Sequence, residues 1–317
     1  MFHHSAARAL LLAAAVVAAS ALPAPSRAAD APIVLNVGTL PVDTSAVIFY
    51  AQDQGYFKAA GLTVNIQVMA SGPVTAQAVA ANAIDIGVAN VATIASARTR
   101  GVPLKFIAPA AIASEKTQTD LIMVAKDSPV QKAADLNGKT IGINGLRDLQ
   151  QICAMAWVDK HGGDAKSVKF IEVPFPQAEA VLTQGRADAA FCSEPFITQA
   201  KATTRIFANT FSAIGDGFLV TAFFAAKPWA QANAPLVARF AAVIRQIGAW
   251  ANKNPDASAD ILAKYAKIDP AIVKASVRSR FATTLTAAQF QPTIDASAKY
   301  KLLDASFPAQ DLLFSST

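Results

Sequence analysis

An arginine stands at an unusual position in the segment GINGLRDLQ, residues 142–150. The segment is typical of a strand that passes through a glycine turn into a helix, with Arg147 near the start of that helix. A helix N-terminus carries partial positive charge, and its free amides attract anions. A guanidinium at the same point could clamp a carboxylate or sulfonate through two parallel hydrogen bonds. Arg147 is therefore a candidate ligand contact, although it could also point outward or pair with an acid such as Glu194.

Glu194, in the apolar segment CSEPF, complicates that interpretation. A carboxylate beside an anion site would repel the ligand, so it needs another role. Glu194 could orient Arg147, bind an N–H group of the ligand, or cap a helix that begins at Pro195, and the orienting role is the one we favour. Phe175 follows another predicted strand, where it could stack on a flat ligand or simply join the core.

Three further polar positions follow predicted strands and could bind or cap. Ser71 can cap the next helix or offer its hydroxyl to an anion. Asn90 supplies both a donor and an acceptor, but it could equally start the following helix. Asp148 is interpreted as an N-terminal helix residue rather than as a ligand contact.

No catalytic set accompanies these residues. The sequence contains no GxSxG elbow, P-loop or metal-binding spacing, and His161 lies at a predicted helix end on the surface. Cys153 and Cys192 either form a disulfide or remain two buried thiols. We predict neither a metal nor a cofactor, and we predict that the protein is not an enzyme.

Short apolar runs alternate with helical segments from residue 32 onward, which predicts βαβ units and mostly parallel sheets. The cycle restarts after DLIMVAK and ends before residue 228, where a series of helices begins. Those helices are predicted to cover the first lobe, and they include Leu236–Asn252, Ala257–Lys267, Ala271–Phe281 and Ala287–Lys299. A segment of the first cycle aligns without gaps on the second, which predicts two similar lobes. That alignment pairs Pro73 with Pro176 and Asp85 with Asp188.

Ligands of open α/β sheets bind beyond the carboxyl ends of the strands, so the loops at those ends should line one cleft between the lobes. The residues predicted to bind a ligand there are Thr39, Leu40, Ser45, Ser71, Gly72, Asn90, Asn144, Arg147, Phe175 and Glu194.

The first 28 residues have the pattern of a cleaved secretory signal: Arg8, a short apolar run, and small residues at Ser26 and Ala28. The whole chain has 28 basic and 22 acidic residues, and removal of this segment would take away Arg8 and Arg27. The mild excess that remains contains no basic cluster, so neither nucleic acid nor an anionic membrane surface is indicated as a partner.

Several segments together resemble the substrate-binding proteins of ABC importers in the nitrate, sulfonate and taurine group, often described as NMT1/THI5-like. These segments are AQDQGYFKAAGLTVNI, NAIDIGVAN, ADLNGKTIGI and GRADAAFCSEPF, and the likeness covers nearly the whole mature chain, from Pro32 to about Phe281. The resemblance implies a periplasmic receptor of the bilobal type II periplasmic-binding-protein fold. Two α/β domains joined by two crossover strands would close by hinge motion around a ligand in the interdomain cleft.

The expected lobes are residues 29–124 with 222–317, and residues 125–221. The resemblance also implies a monomer that delivers its ligand to a membrane permease with a cytoplasmic ATPase. With Arg147 in the cleft, the expected ligand is a small organic anion, either a carboxylate, aromatic or aliphatic, or a sulfonate. The alternatives are a receptor for a neutral thiamine-precursor pyrimidine, with Glu194 in direct contact with the ligand, and an enzyme of the THI5 type. The cysteine-rich motif of those enzymes is absent.

Overall fold

Two five-stranded sheets form the framework of the protein, and the computed structural model describes residues 33–315. The predicted signal peptide, residues 1–28, lies outside the described residues. No helix in the described part of the chain is long and apolar enough to cross a membrane. The strands are β1 Ile33–Thr39, β2 Leu62–Val68, β3 Ile86–Ala89, β4 Leu104–Pro109, β5 Ala111–Ile112, β6 Asp120–Ala125, β7 Thr140–Ile143, β8 Lys169–Glu172, β9 Ala189–Ser193, β10 Thr204–Ala208, β11 Ala222–Ala226 and β12 Arg280–Phe281.

The two sheets share one strand order when the second is read from its opposite edge. The first runs β2-β1-β3-β11-β4 and the second β8-β7-β9-β6-β10. In each sheet one strand, β11 or β6, runs antiparallel to both of its neighbours. Strand β11 returns to the first sheet after the chain has built the second. This topology is the bilobal α/β arrangement that the resemblance implies.

The internal repeat predicted from the sequence recurs in the hydrogen bonds between strands. The Asp85 carboxylate accepts a hydrogen bond from the backbone N–H of Asn36 in β1 at 2.8 Å. The Asp188 carboxylate accepts the same bond from Thr140 in β7 at 2.9 Å. The aligned aspartates therefore brace equivalent strands in the two halves, which confirms the pairing of Asp85 with Asp188.

Helices flank both sheets, and each of the helices that follow β2, β3 and β7 begins at a side chain that caps its free amides. Ser71, Asn90 and Asp148 accept these amide hydrogen bonds in the loops that follow β2, β3 and β7. The helices are α1 Val47–Asp53, α2 Tyr56–Ala59, α3 Gly72–Ala80, α4 Val91–Thr99, α5 Leu149–Lys160, α6 Ala178–Thr183, α7 Phe196–Gln199, α8 Lys227–Ala232, α9 Ala234–Ala251, α10 Pro255–Ala266, α11 Pro270–Ala275 and α12 Gln291–Lys299.

A glycine lets two elements pack closely on the central strand β3. A Cβ atom at Gly87 would lie 2.6 Å from the Thr75 side chain of α3 and 2.7 Å from the Phe224 ring of β11. Real Cβ atoms do not approach other atoms this closely, so a larger residue would displace α3 or β11. The close packing fixes the strand whose end carries Asn90.

Two predicted helices differ from the observed ones. The sequence pattern predicts one helix over Ser45–Phe57, and the structure interrupts it at Gly55, whose φ of +73° precedes the short helix α2. The helix expected over Ala271–Phe281 ends at Ala275, because the chain then becomes extended and Arg280–Phe281 pairs with β5. Tertiary strand pairing overrides helix propensity there.

Among the last helices, α9 lies directly on the first sheet, and α11 contacts α7, which follows β9 of the second sheet. Helix α9 packs on β4 and α1, and α10 packs on α1. Helix α12 lies against α4 and also reaches α5. Strand β6, Asp120–Ala125, pairs within the second sheet. The predicted lobe boundary after residue 124 would have assigned most of this strand to the first lobe. The remaining lobe limits stay a prediction.

Candidate functional site

A cavity lies where the ends of strands from both sheets meet, and we call it the cleft. It holds about 440 Å³ of space outside protein atoms when the open solvent at its mouth is counted. Small-molecule sites of α/β proteins commonly occupy such a position. The side of the first sheet contributes Leu40, Val42, Thr44, Ser45, Gly72, Val88, Ala89, Asn90, Val220 and Thr221. The side of the second sheet contributes Asp120, Asn144, Asp148, Leu149, Gln150, Phe175 and Phe211.

Six of the residues predicted from strand-end loops line this cleft, and four do not. Those at the cleft are Leu40, Ser45, Gly72, Asn90, Asn144 and Phe175, and those outside its lining are Thr39, Ser71, Arg147 and Glu194. The strand-end rule therefore places the loops correctly, whereas the direction of individual side chains departs from it.

Thr39 and Ser71 support the cleft from behind. The Thr39 hydroxyl donates to the Ser45 carbonyl at 3.2 Å, which holds the loop after β1. The Ser71 hydroxyl accepts from the Val74 amide at 3.4 Å and caps α3. Both residues are buried, and both satisfy backbone groups of the first lobe.

Glu194 caps the short helix α7. Its two carboxylate oxygens accept hydrogen bonds from the Thr198 amide at 3.0 Å and the Thr198 hydroxyl at 2.9 Å. Burial raises the pKa of this carboxyl, and the hydrogen bonds from Thr198 oppose the rise. The expectation that Glu194 orients Arg147 is wrong, because both oxygens are used at α7. The capping alternative is the one observed.

Arg147 points away from the cleft. Its backbone adopts a left-handed conformation, with φ of +58°, and its guanidinium donates to the Leu302 carbonyl at 2.5 Å. The next residue, Asp148, lines the cleft instead. A left-handed residue turns the chain abruptly, so neighbouring side chains leave in different directions. The expectation that the guanidinium faces the cleft is therefore wrong.

Two buried carboxyl groups that sequence reasoning left out of the site line the cleft. Asp120 is 4% exposed and accepts a hydrogen bond from the Thr119 hydroxyl at 2.9 Å. Asp148 is 2% exposed and caps α5 through the Gln150 amide at 2.9 Å. Asp148 thus combines the predicted capping role with a position in the cleft. The sequence contained one sign that Asp120 belongs to the site, because this acid begins the apolar strand DLIMVA. An unpaired charge is costly in such a buried segment.

Hydrogen bonds join the two sides of the cleft. The Asn90 amide donates to the free oxygen of Asp148 at 3.4 Å, while its own oxygen caps α4 through the Thr93 amide at 2.9 Å. The Asn144 amide donates to the Ala70 carbonyl at 3.0 Å. Loops of the second sheet are thereby held against loops of the first.

The cleft offers acceptors and apolar faces but no cation. Lysine, arginine and histidine are all absent from its described lining. Burial raises the pKa of Asp120 and of Asp148 to about 7, with hydrogen bonds opposing the rise in both cases. Phe175, Phe211 and Leu40 supply apolar surface beside these carboxyls. Such a site fits a flat molecule with N–H donors better than it fits an anion.

We expect the protein without added ligand to become less stable as the pH rises from about 4 to about 7. Both aspartates have a raised pKa in the folded state and an ordinary one, near 3.8, when unfolded. In that pH window the folded state holds more protons, so the free energy of unfolding falls with pH. Melting temperatures measured at pH 5 and pH 8 should show the fall.

The Asp120→Asn/Asp148→Asn variant is the control for this pH dependence. Asparagine keeps an acceptor oxygen at both positions and removes the titration. The variant should lose less stability between pH 5 and pH 8 than the parent. The part of the loss that comes from deprotonation of Glu194 should persist in the variant. An identical fall in both proteins would show that these carboxyls are not the cause.

Metal or thiol chemistry has no support in the described residues. Among them no group of three or more histidine, cysteine, aspartate or glutamate side chains could hold a metal ion. Cys153 and Cys192 are buried free thiols, and burial raises the pKa of each. His161 follows α5 at the surface, as predicted, and its ring stacks on Trp157.

The chain matches a family model described as NMT1/THI5 like over residues 43–258. A curated Brucella abortus protein named as a binding protein is 24% identical over 249 residues, which cover 74% of this chain and 72% of the relative. A formylaminopyrimidine-binding protein from Halalkalibacterium halodurans is 26% identical over 142 residues, which cover 45% of this chain and 41% of that protein.

A solved structure of similar fold is the alkanesulfonate-binding protein SsuA from Xanthomonas axonopodis pv. citri bound to MOPS. It superposes with a TM-score of 0.75 at 18% identity and covers 89% of this chain and 98% of that one. At this identity the likeness shows a shared periplasmic-binding-protein fold.

Proposed function

The chain belongs to the NMT1/THI5-like family, and we propose that it is the periplasmic solute receptor of an ABC importer. Support comes from the fold, in which two α/β lobes meet at one cleft, and from relatives that are named as binding proteins. The receptor closes on its ligand by hinge motion, as a monomer, and presents it to a membrane permease with a cytoplasmic ATPase. Its role is non-catalytic.

The ligand that we propose is a small flat molecule, neutral or cationic, whose N–H groups donate to carboxyl and amide oxygens. An aminopyrimidine is an example of such a molecule. One observation carries this choice. The cleft contains the buried carboxyls of Asp120 and Asp148 and, among its described lining residues, no basic side chain. Buried carboxylates attract N–H donors and repel anions. The distant relative named as a formylaminopyrimidine-binding protein agrees with this ligand class.

An organic anion was the ligand expected while Arg147 was placed in the cleft. With Arg147 outside it, an anion would enter a site that holds two acids and no compensating charge among its described lining residues. The cost of bringing like charges together in a buried site opposes that binding. Glu194 does not take the direct ligand contact of the pyrimidine alternative in this proposal, since it lies outside the lining of the cleft. Asp120 and Asp148 supply that contact instead.

A thermal-shift screen of the mature protein tests the proposal. The compounds are an aminopyrimidine, its N-formyl derivative, an alkanesulfonate, benzoate and nitrate, each at a pH of about 7.5. A ligand at a concentration 100 times its Kd stabilises the folded state by about 2.7 kcal/mol, which raises Tm by several degrees. We expect the pyrimidines to raise Tm by an amount that Asp120→Asn/Asp148→Asn largely removes, and we expect no such variant-sensitive rise from the anions.

The compounds should also be recovered and identified by mass spectrometry. Unchanged pyrimidine together with a raised Tm supports a receptor. Chemical conversion of the ligand would show an enzyme of the THI5 type. Stabilisation by a sulfonate that competes with the pyrimidine for one site would show that anions bind in the cleft and would overturn the ligand class.

A further inference from the structure

A second cavity, separate from the cleft, contains two arginines, and we call it the arginine cavity. It holds about 760 Å³ of space outside protein atoms when the open solvent at its mouth is counted. Its walls come from α3, α4 and the start of β4 on the first sheet, and from Leu146 and Arg147 in the loop between β7 and α5 on the second. It therefore spans both lobes, as the cleft does, but with a different set of side chains.

The charge of this cavity is opposite to that of the cleft. Arg100 and Arg147 are its charged lining residues, and the described lining includes no acid. The Arg100 side chain makes no hydrogen bond or ion pair within residues 33–315, whereas Arg98, in the preceding turn, pairs with Asp311 at 2.6 Å. Arg147 uses one N–H on the Leu302 carbonyl, which leaves further guanidinium donors. Two cations thus face one space without a partner carboxylate among the described residues.

The rest of the lining is largely apolar. Ala76, Ala97 and Leu104 are buried and form one wall. Leu146 lies at the opposite rim and is 43% exposed, so its side chain is free to cover an apolar group that enters the cavity. Gln77 and Ser96 add polar atoms to the same lining. A cavity of this kind accommodates an apolar group together with one anionic head.

We propose that the arginine cavity binds a small amphipathic carboxylate, with its head between Arg100 and Arg147 and its hydrocarbon part against α3 and α4. The two guanidinium groups supply charge-assisted hydrogen bonds to the carboxylate oxygens. The alanines and leucines of the wall bury the chain. This site is independent of the cleft ligand and of the receptor role.

Hexanoate is a suitable probe, and isothermal titration calorimetry on the ligand-free mature protein is the measurement. We expect hexanoate to bind, and we expect both acetate and hexanamide to bind at least about tenfold more weakly. Acetate lacks the hydrocarbon chain, and hexanamide lacks the negative charge. Arg100→Gln and Arg147→Gln should each raise the Kd for hexanoate by about tenfold or more. Arg186→Gln removes an exposed arginine on the second lobe and should leave the Kd unchanged.

Two results would overturn the site. The first is hexanoate binding with an unchanged Kd in the double variant Arg100→Gln/Arg147→Gln, measured on a variant that keeps the melting temperature of the parent. The second is displacement of hexanoate by a saturating aminopyrimidine, together with loss of hexanoate binding in Asp120→Asn/Asp148→Asn, which would place the probe in the cleft. Hexanoate binding that is equal in the Asp variant and the parent supports the arginine cavity whether or not pyrimidines bind at all.

Discussion

Replacement of both cleft carboxyls by amides, Asp120→Asn/Asp148→Asn, is expected to weaken binding of the best aminopyrimidine by about 100-fold or more at a pH of about 7.5. In the proposed complex each carboxylate accepts charge-assisted hydrogen bonds from ligand N–H groups, and such bonds stabilise a complex by about 1.5–3 kcal/mol each. An asparagine offers one acceptor and presents an NH₂ group that opposes the ligand donors. Calorimetric titration of parent and variant gives the ratio of the two Kd values.

The hydrogen bonds to the Gln150 amide and the Thr119 hydroxyl survive this substitution, whereas the Asn90 amide loses its acceptor at position 148. A melting temperature in the variant no lower than that of the parent would show that the site stays folded. An asparagine at position 148 would keep an oxygen for the Gln150 amide, and an amide oxygen at position 120 can accept from the Thr119 hydroxyl. A loss of binding would then report the charge and the donor pattern rather than a collapsed site. Asp127→Asn makes the same chemical change at an exposed turn after β6, so it should leave the Kd as it is. Equal Kd values for the double variant and the parent would remove the carboxyls from ligand recognition.

Local sequence patterns carry much of the information about the fold. The repeat that pairs Asp85 with Asp188 predicts two similar lobes, and the structure places both carboxylates on the backbone of the first strand of each repeat, β1 and β7. Strands such as β3 are recognisable because they are buried along their whole length and bounded by caps. Short elements that depend on distant partners escape this reasoning. Strand β12 exists because β5 lies beside it.

The position of the cleft was predictable for the same reason, since the loops that line it follow the carboxyl ends of strands. Its electrostatic character was not. Asp148 rather than Arg147 lines the cleft, and the backbone at Arg147 is left-handed there. A single sequence gives no sign of this left-handed conformation, because non-glycine residues seldom adopt it. Arg147 and Asp148 are adjacent in sequence, yet their orientation decides whether the ligand should be an anion or a donor of N–H groups.

The loop between β1 and α1 shows a third kind of long-range dependence. Asp43, in that loop, is 1% exposed in its side chain and pairs with Arg278, which follows α11. One Asp43 oxygen accepts from Arg278 Nη2 at 2.6 Å and from the Tyr50 hydroxyl at 3.3 Å, and the other accepts from the Ser279 amide. Burial, followed by the Asp43 charge, raises the pKa of Tyr50, so its hydroxyl stays a donor.

Asp43→Ala is therefore expected to lower the free energy of unfolding by about 3–5 kcal/mol, the cost typical of breaking a buried ion pair on one side. The Arg278 guanidinium, whose side chain is only 15% exposed, would be left with the Pro255 carbonyl and the Tyr50 hydroxyl and no counter-charge among the described residues. Urea denaturation at a pH of about 7.5 measures the change. Binding at the cleft should weaken as well, because Val42, Thr44 and Ser45 flank Asp43 and line the cleft.

Asp53→Ala is the matched control, since Asp53 in α1 pairs with Lys264, whose side chain is 67% exposed. A pair of that exposure contributes about 0–1 kcal/mol. The double variant Asp43→Ala/Arg278→Met should be less destabilised than the sum of its two single changes, because no cation is then buried without a partner. Additive effects, or a cost for Asp43→Ala no larger than that for Asp53→Ala, would mean that the loop holds its shape by packing alone. The predicted coupling would instead make Arg278, between α11 and β12, a determinant of the cleft through the Asp43 carboxylate, which belongs to neither the ligand site nor the sheets.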